Sequence, residues 1–310
     1  MKILVIGDPH FKKNNLHLMT DAVNDILTII DKRKPDLVVC LGDTLDTHER
    51  IDLRARCKAV EFLEEISKRC ECVNLIGNHD RENNSDYLSE YHPFTGCDIK
   101  NLTIVSKPMW IYNYVFVPYV PCGKFMEALK MVYDPETHSE HPDYIFAHQE
   151  FKGCVYGKIK STKGDTWNTE YPEIISGHIH EYQVLKNITY VGTFMQTNYG
   201  ETEDKAILEL PSRERIRLPN VKKFITIRVN DVNDLPEESN DNVRVILELK
   251  EEEIKTIKAT KEFKKLQTKF SKVEVRKTHS REKIKIKTFD EIVEDLLSEC
   301  ELALDIYRTL

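Results

Sequence analysis

At 310 residues, with 40% apolar and 31% charged residues, the chain has room for one large domain beside a smaller one and enough apolar mass for a core. Its formal charge of −7 excludes a protein that coats nucleic acid over its whole surface, so any such contact must be local. No apolar run approaches the roughly 20 residues of a bilayer span, and the short run before Asp8 does not make a signal peptide, so an intracellular, cytoplasmic or nuclear protein is expected.

The first 80 residues read as βαβαβ. Lys2–Gly7 is a strand, and apolar residues at 16, 19, 23, 26, 27 and 30 make Leu16–Lys32 an amphipathic helix. Asp36–Gly42 is a strand without polar alternation, as expected of one covered on both faces. A helix from about Ile51 to Arg69 and a strand Cys72–Gly77 complete the set. From Leu102 to Val229 the pattern turns to short β-rich runs (LTIVS, YVFVP, DYIFAH, EIISGH, ITYVG, KAILEL, RIRL, FITIRV), interrupted by one helix, Lys124–Tyr133. These runs predict a second sheet packed on the first, a two-sheet α/β sandwich over residues 1–229.

Residues 230–242 are polar and aperiodic and read as a linker. Beyond them, residues 243–287 predict a small βαβ-like module: strand Val243–Leu249, helix Glu251–Phe270, strand Lys272–Lys277. In residues 288–310 Thr288 and Glu291 form a capping box ahead of an apolar stripe that includes Phe289, Ile292 and Leu296. The eight cysteines have no CxxC pair and no framework spacing, so they read as reduced thiols.

The chemistry lies in five short motifs, each after a β-like run: Asp8-Pro9-His10, Gly42-Asp43-Thr44-Leu45-Asp46, Gly77-Asn78-His79-Asp80, His148, and Gly177-His178-Ile179-His180. In extended chain, residues two apart point to one side, so Asp8 and His10 can grip one ion, and His178 and His180 can reach one site. Asp43 ends a buried strand, where an unpaired carboxylate is costly unless it binds metal or is otherwise paired. Any one motif could be a simple turn or cap; five in one order, each at a strand end, point to a two-metal hydrolytic site.

That order resembles the calcineurin-like metallophosphoesterases, and within them the SbcD-type DNA double-strand-break repair nucleases with their phage and viral relatives. The resemblance runs to about residue 230 and takes in Tyr190–Thr193 and Asn198–Glu201. It implies that Asp8, His10, Asp43 and His180 hold one ion and Asp43, Asn78, His148 and His178 the other, with Asp43 bridging. Mixed N/O ligation without thiolate suits Mn²⁺ or Fe, with Zn²⁺ as a further candidate, and the nuclease branch implies two Mn²⁺ ions. His79 is then the general acid for the leaving oxygen or a transition-state stabiliser, with Asp80 orienting it or capping a helix. Some relatives carry a histidine where Asp46 stands, so no role is carried over to that residue.

Between Lys255 and Lys287 thirteen Lys/Arg face three glutamates, a net of +10, where such nucleases carry a capping domain that touches the DNA backbone. Lys255, Lys258, Lys261, Lys264 and Lys265 are the candidate DNA contacts. The closing helix either packs on its own domain or docks on an SbcC-type coiled-coil ATPase, and the family implies a homodimer. The function expected is a Mn²⁺-dependent DNA nuclease subunit, a 3′→5′ exonuclease and single-strand endonuclease in repair or recombination. The alternative is a phosphatase or phosphodiesterase acting on a protein or small molecule, although protein phosphatases of this superfamily usually read G-N-H-E rather than Gly77-Asn78-His79-Asp80.

Overall fold

The computed structural model describes residues 1–277 except 49, 86, 202, 203, 237, 238 and 240. Two compact units emerge: Met1–Thr226 with Glu237–Arg244, and Ile227–Pro236 with Val245–Leu310. The polar run 230–242 is shared between them. The closing helix expected at 288–310 and the last ten residues of the basic module lie outside the described residues, as does His279.

The first unit begins with β1 (Ile3–Ile6), α1 (Leu16–Arg33), β2 (Leu37–Cys40), α2 (Leu53–Ser67), β3 (Glu71–Leu75) and β4 (Leu102–Val105). β1, β2 and β3 run parallel in that order, and β4 extends them parallel on the far side. The remaining strands are β5 (Met109–Ile111), β6 (Tyr114–Val117), then past α3 (Phe125–Leu129) β7 (Tyr144–Ala147), β8 (Val155–Tyr156), β9 (Ile159–Lys160), β10 (Glu173–Ser176), β11 (Gln183–Leu185), β12 (Ile188–Tyr190), β13 (Ile207–Leu210) and β14 (Arg215–Ile216). The second sheet has the order β11-β12-β10-β7-β6-β5, with β6, β7, β10 and β12 parallel.

Strand alternation sorts the core into layers. Leu4, Ile6, Val38 and Cys40 face α1 and α2, where they meet Met19, Ile26, Phe62 and Ile66. Ile3, Val5, Leu37 and Val39 face the other way and pack on Phe116, Phe146 and Ile175 of the second sheet. That sheet's outer face, with Val115, Ile145 and Ile174, packs on Phe125 and Leu129 of α3 and on Tyr133. The result is the expected α/β sandwich of two sheets.

Three expectations need correction. LTIVS, KAILEL, RIRL and FITIRV do not join the second sheet: β4 lies beside β3, β13 returns antiparallel to β1 and carries β14 with it, and Phe224–Val229 joins a separate three-stranded sheet. A short β-run carries no mark of the sheet that will hold it, because strand pairing is a long-range choice. The helix expected over Lys124–Tyr133 is one short element, Phe125–Leu129. The helix expected over Glu251–Phe270 is two, α4 (Glu251–Ile257) and α5 (Lys261–Lys269), because the Thr260 hydroxyl accepts the Phe263 N–H and starts a new helix. The strands β5, β8, β9 and β11 were not foreseen; each is only two or three residues long and none is fully buried.

β15 (Phe224–Val229), β16 (Asn242–Leu249) and β17 (Lys272–Lys277) form a three-stranded sheet in that order, and α4 and α5 both lie against β17. Val243, Val245, Ile246, Leu247, Leu249, Phe263, Leu266 and Phe270 supply this part's buried apolar groups. No described helix is long and apolar enough to cross a membrane. The described cysteines are all free.

The sheets of the first unit meet closely at Gly7, just past β1, and Gly192, just past β12. A Cβ on Gly7 would sit 2.0 Å from the Gly192 carbonyl oxygen, so the two backbones can approach only without one. Gly7→Ala should therefore cost about 2–3 kcal/mol in urea unfolding, by overpacking. An unchanged midpoint would show that this approach is adjustable.

Candidate metal centre

Every candidate ligand leaves the carboxyl end of a parallel strand. Asp8 and His10 follow β1, Asp43 follows β2, Asn78 follows β3, His148 follows β7, and His178 and His180 follow β10. Open parallel sheets place ligands at this edge, and here two such edges supply one site. The turns are sharp: Asp8, His10, Asp43 and His178 all have positive φ, at 24°, 49°, 47° and 76°. Left-handed backbone at non-glycine residues costs about 1–3 kcal/mol each and persists only where surrounding structure enforces it. Glycines make room beneath the ligands. A Cβ on Gly77 would lie 2.2 Å from Asp43 Oδ1, and one on Gly177 would lie 2.5 Å from Asp8 Oδ1.

The side chains converge in two groups, Asp8 with His10 and His180, and Asp43 with His148 and His178. In the first, His10 Nε2 and His180 Nε2 are 2.9 Å apart. In the second, His148 Nε2 stands 3.3 Å from Asp43 Oδ2, and Asn78 Oδ1 lies 3.1 Å from His148 Nε2 and 3.0 Å from His178 Nδ1. Asp43 Oδ2 is also 3.9 Å from His10 Nε2, which puts this carboxylate between the groups. All seven ligands expected from the sequence thus come together.

The donor set fits cations. Both Asp8 carboxylate oxygens are buried and accept no hydrogen bond from the protein, an arrangement that costs several kcal/mol unless a positive charge compensates. Burial pushes Asp8 up to about 6, with Asp43 adding to the shift against the pull of His148. Burial also acts to raise Asp43, but His148, His10 and His79 outweigh it and hold the carboxyl well below the usual range. Burial and then His148 push His178 down to about 4, and burial and then His10 push His180 down to about 3, leaving both imidazoles neutral and able to ligate at pH 7. For His148, burial favours the neutral ring, yet Asp43 and Asp8 prevail and push it up to about 9.

Carbonyl oxygens only accept, so they reveal tautomers. His148 Nδ1 donates to Leu41 O at 2.8 Å, and His79 Nδ1 donates to Asp46 O at 2.9 Å. In neutral rings both Nε2 atoms then carry the free lone pair. The His79 backbone N–H donates to Asp43 Oδ1 at 2.8 Å.

The expectation that Asp80 orients His79 is corrected. The buried Asp80 carboxylate accepts backbone N–H bonds from Thr44, Leu45 and Gly77 at 3.1, 2.9 and 3.1 Å, pinning the β2 and β3 loops together. Burial and then Asp43 push it up to about 7. His79 is placed instead by the Asp46 carbonyl and by His48, whose ring stacks on it at 4.7 Å between centroids.

Other neighbours escaped the sequence reading because no motif marks them. Asn15 donates from Nδ2 to His10 O at 2.8 Å, and Lys205 donates from Nζ to His180 O at 2.6 Å while pairing with Glu201 at 3.1 Å. Tyr119 lies against His178, ring centroids 6.0 Å apart. The five candidate DNA-contact lysines belong to the second unit and are all exposed.

The calcineurin-like phosphoesterase profile matches residues 1–182. A protein of Invertebrate iridescent virus 6 that carries a phosphoesterase name is 39% identical over 255 residues, 79% of this chain and 86% of its own. A similarly named protein of Invertebrate iridescent virus 3 is 36% identical over 264 residues, covering 80% and 76%. Exonuclease subunit 1 of Enterobacteria phage T4 is 23% identical over 228 residues, covering 66% and 62%. With paired imidazole and carboxylate clusters at the sheet edges, the chain belongs to the calcineurin-like phosphoesterases, the metal-dependent hydrolases of phosphoesters.

Proposed function

We propose that this hydrolase is a DNA nuclease subunit of the SbcD type, a Mn²⁺-dependent 3′→5′ exonuclease and single-strand endonuclease serving repair or recombination. The observation that carries the reading is a set of five cations on the chain that holds the phosphoester site. Lys255, Lys258, Lys261, Lys264 and Lys265 are all exposed, and none makes an ion pair among the described residues. On α5, Lys261, Lys264 and Lys265 share a face by their i, i+3, i+4 spacing, while Phe263 and Leu266 are buried. A small phosphoester has no use for such a surface, whereas a polymeric phosphodiester does. The likeness to the phage exonuclease subunit supports the same branch. An SbcC-type ATPase partner and a homodimer belong to the proposal on that branch alone.

In this reading Asp8, His10, Asp43 and His180 would hold one divalent ion, and Asp43, Asn78, His148 and His178 the second. Ions held there supply Lewis acidity and activated water. His79 has its Nδ1 proton committed to the Asp46 carbonyl, so Nε2 is the atom left for proton exchange. It gives a proton to the leaving oxygen only from the imidazolium form, which the neutral ring reaches by taking up a proton at Nε2 against the burial that lowers its basicity. Asp80 keeps the loops of Asp43 and His79 in register through its three backbone contacts.

The deciding experiment is digestion of end-labelled duplex DNA, single-stranded DNA and a small chromogenic phosphodiester with Mn²⁺, Mg²⁺ or chelator, using wild type and Asp43→Ala. DNA cleavage that needs Mn²⁺ and is lost in the variant is expected. Cleavage of the small ester alone would move the enzyme to small-molecule or protein phosphoesters. His79→Ala should keep fold and metal binding while DNA cleavage falls by about 10²–10⁴-fold; full retained activity would remove His79 from the chemistry. Glutamate at positions 261, 264 and 265 should weaken DNA binding and lower its log–log salt slope by at least about 3. Hydrolysis of the small ester should be spared, and equal loss on both substrates would make the lysine face structural.

Metal uptake should depend on pH. Ligation needs His148 neutral and Asp8 ionised, so binding at pH 7 displaces a proton from His148, and affinity should rise with pH between about 6 and about 9. Calorimetry of Mn²⁺ binding in two buffers of different ionisation enthalpy counts that proton. Zero release at pH 7 would contradict the assignment of His148.

A further inference from the structure

Asp46 follows Asp43 by three residues, yet its carboxylate approaches none of the second group. Its Oδ1 lies 3.3 Å from His10 Nδ1, on the side of the imidazole opposite the His10 Nε2 that meets His180 and Asp43. His10 Nδ1 is buried and makes no well-aligned hydrogen bond within the protein. Among the described residues, Asp46 is the one carboxylate in ion-pair reach of that nitrogen. On its far side Asp46 is gripped by Lys12, whose Nζ lies 3.1 Å from either carboxylate oxygen.

A histidine that ligates through Nε2 must carry its proton on Nδ1, and a buried N–H needs an acceptor. Asp46, at 3.3 Å, is the acceptor within reach. We infer that Asp46, held by Lys12, is a positioning residue for the first ion: its carboxylate takes the Nδ1 proton contact of His10, fixes that ring's tautomer and orientation, and so strengthens binding at the Asp8–His10–His180 group. The inference rests on the metal-binding reading of the two groups and is independent of whether DNA is the substrate. It also separates two functions of one residue. The Asp46 main-chain carbonyl fixes the tautomer of His79, and no side-chain substitution removes that contact.

The test is Mn²⁺ binding to the full chain, followed by calorimetry and by electron paramagnetic resonance of the free ion, with no substrate present. Wild type is expected to bind two ions. Asp46→Ala should weaken one of them by about 10–100-fold and leave the other at the wild-type value. Asp46→Asn, which keeps an acceptor oxygen but not the charge, should fall between the two. Lys12→Met should weaken the same ion as Asp46→Ala, by less. With Zn²⁺ bound and histidines labelled with ¹⁵N, the His10 Nδ1 proton should be slow to exchange in wild type and fast in Asp46→Ala.

Two ions bound with unchanged affinity in Asp46→Ala would overturn the inference and leave the metal centre standing. Equal weakening of both ions, in Asp46→Ala and Asp46→Asn alike, would also overturn it, since that marks a loop-wide structural effect. A wild-type chain that binds no Mn²⁺ would overturn the metal centre and this inference with it.

Discussion

The centre of this protein is organised by a carboxylate that the fold buries without a well-aligned hydrogen bond, with His148 Nδ1 3.7 Å away. Asp8 sits at the end of a strand covered on both faces, and no protein group donates to either of its oxygens. Beside it Asp43 is equally buried and strongly ionised, surrounded by His148, His10 and His79. A low-dielectric site magnifies both the repulsion between the acids and their attraction for cations. The same burial keeps His178 and His180 neutral, so anionic oxygens and free imidazole lone pairs are directed into one space. Divalent ions held there would compensate this arrangement, and the positive charge they bring would favour a phosphoester anion inside a protein of formal charge −7.

Holding such groups together requires backbone that ordinary packing would reject. Four of the ligands adopt left-handed φ values, and the glycines before Asn78 and His178 leave no space for a Cβ against Asp43 and Asp8. The strain is opposed by backbone ties between loops. The His10 N–H donates to Asp43 O, the Phe11 N–H to Thr44 O, and Asp80 accepts from the loops after β2 and β3. The site is therefore assembled by main chain as much as by side chains. Asp80 is buried for that reason rather than for direct work on His79.

The second unit is built on different chemistry. Its sheet and two short helices bury a modest apolar set, and the lysines of α4 and α5 remain in water. The first unit thus holds a buried, fixed constellation of carboxylates and imidazoles, while the second presents exposed cations over a small apolar core.

The sequence by itself determined the candidate ligand set and much of the framework. Buried strands such as LVVC carry no polar alternation, α1 shows helical periodicity, and the D-x-H, G-D, G-N-H-D and G-H-x-H motifs each mark a strand end, because local spacing is enough to specify local structure. It did not determine which sheet receives β4, β13, β14 and β15, since pairing is a long-range choice that a short β-run does not record. Nor did it place the helix break at Thr260, where one hydroxyl cap overrides a continuous helical pattern. Only the tertiary structure decided that Asp80 serves the loops, that His48 stacks on His79, and that Asp46 turns its carboxylate to His10. Those contacts join residues dozens of positions apart, and their geometry depends on how β1, β2 and β3 line up side by side, which no local pattern of residues encodes.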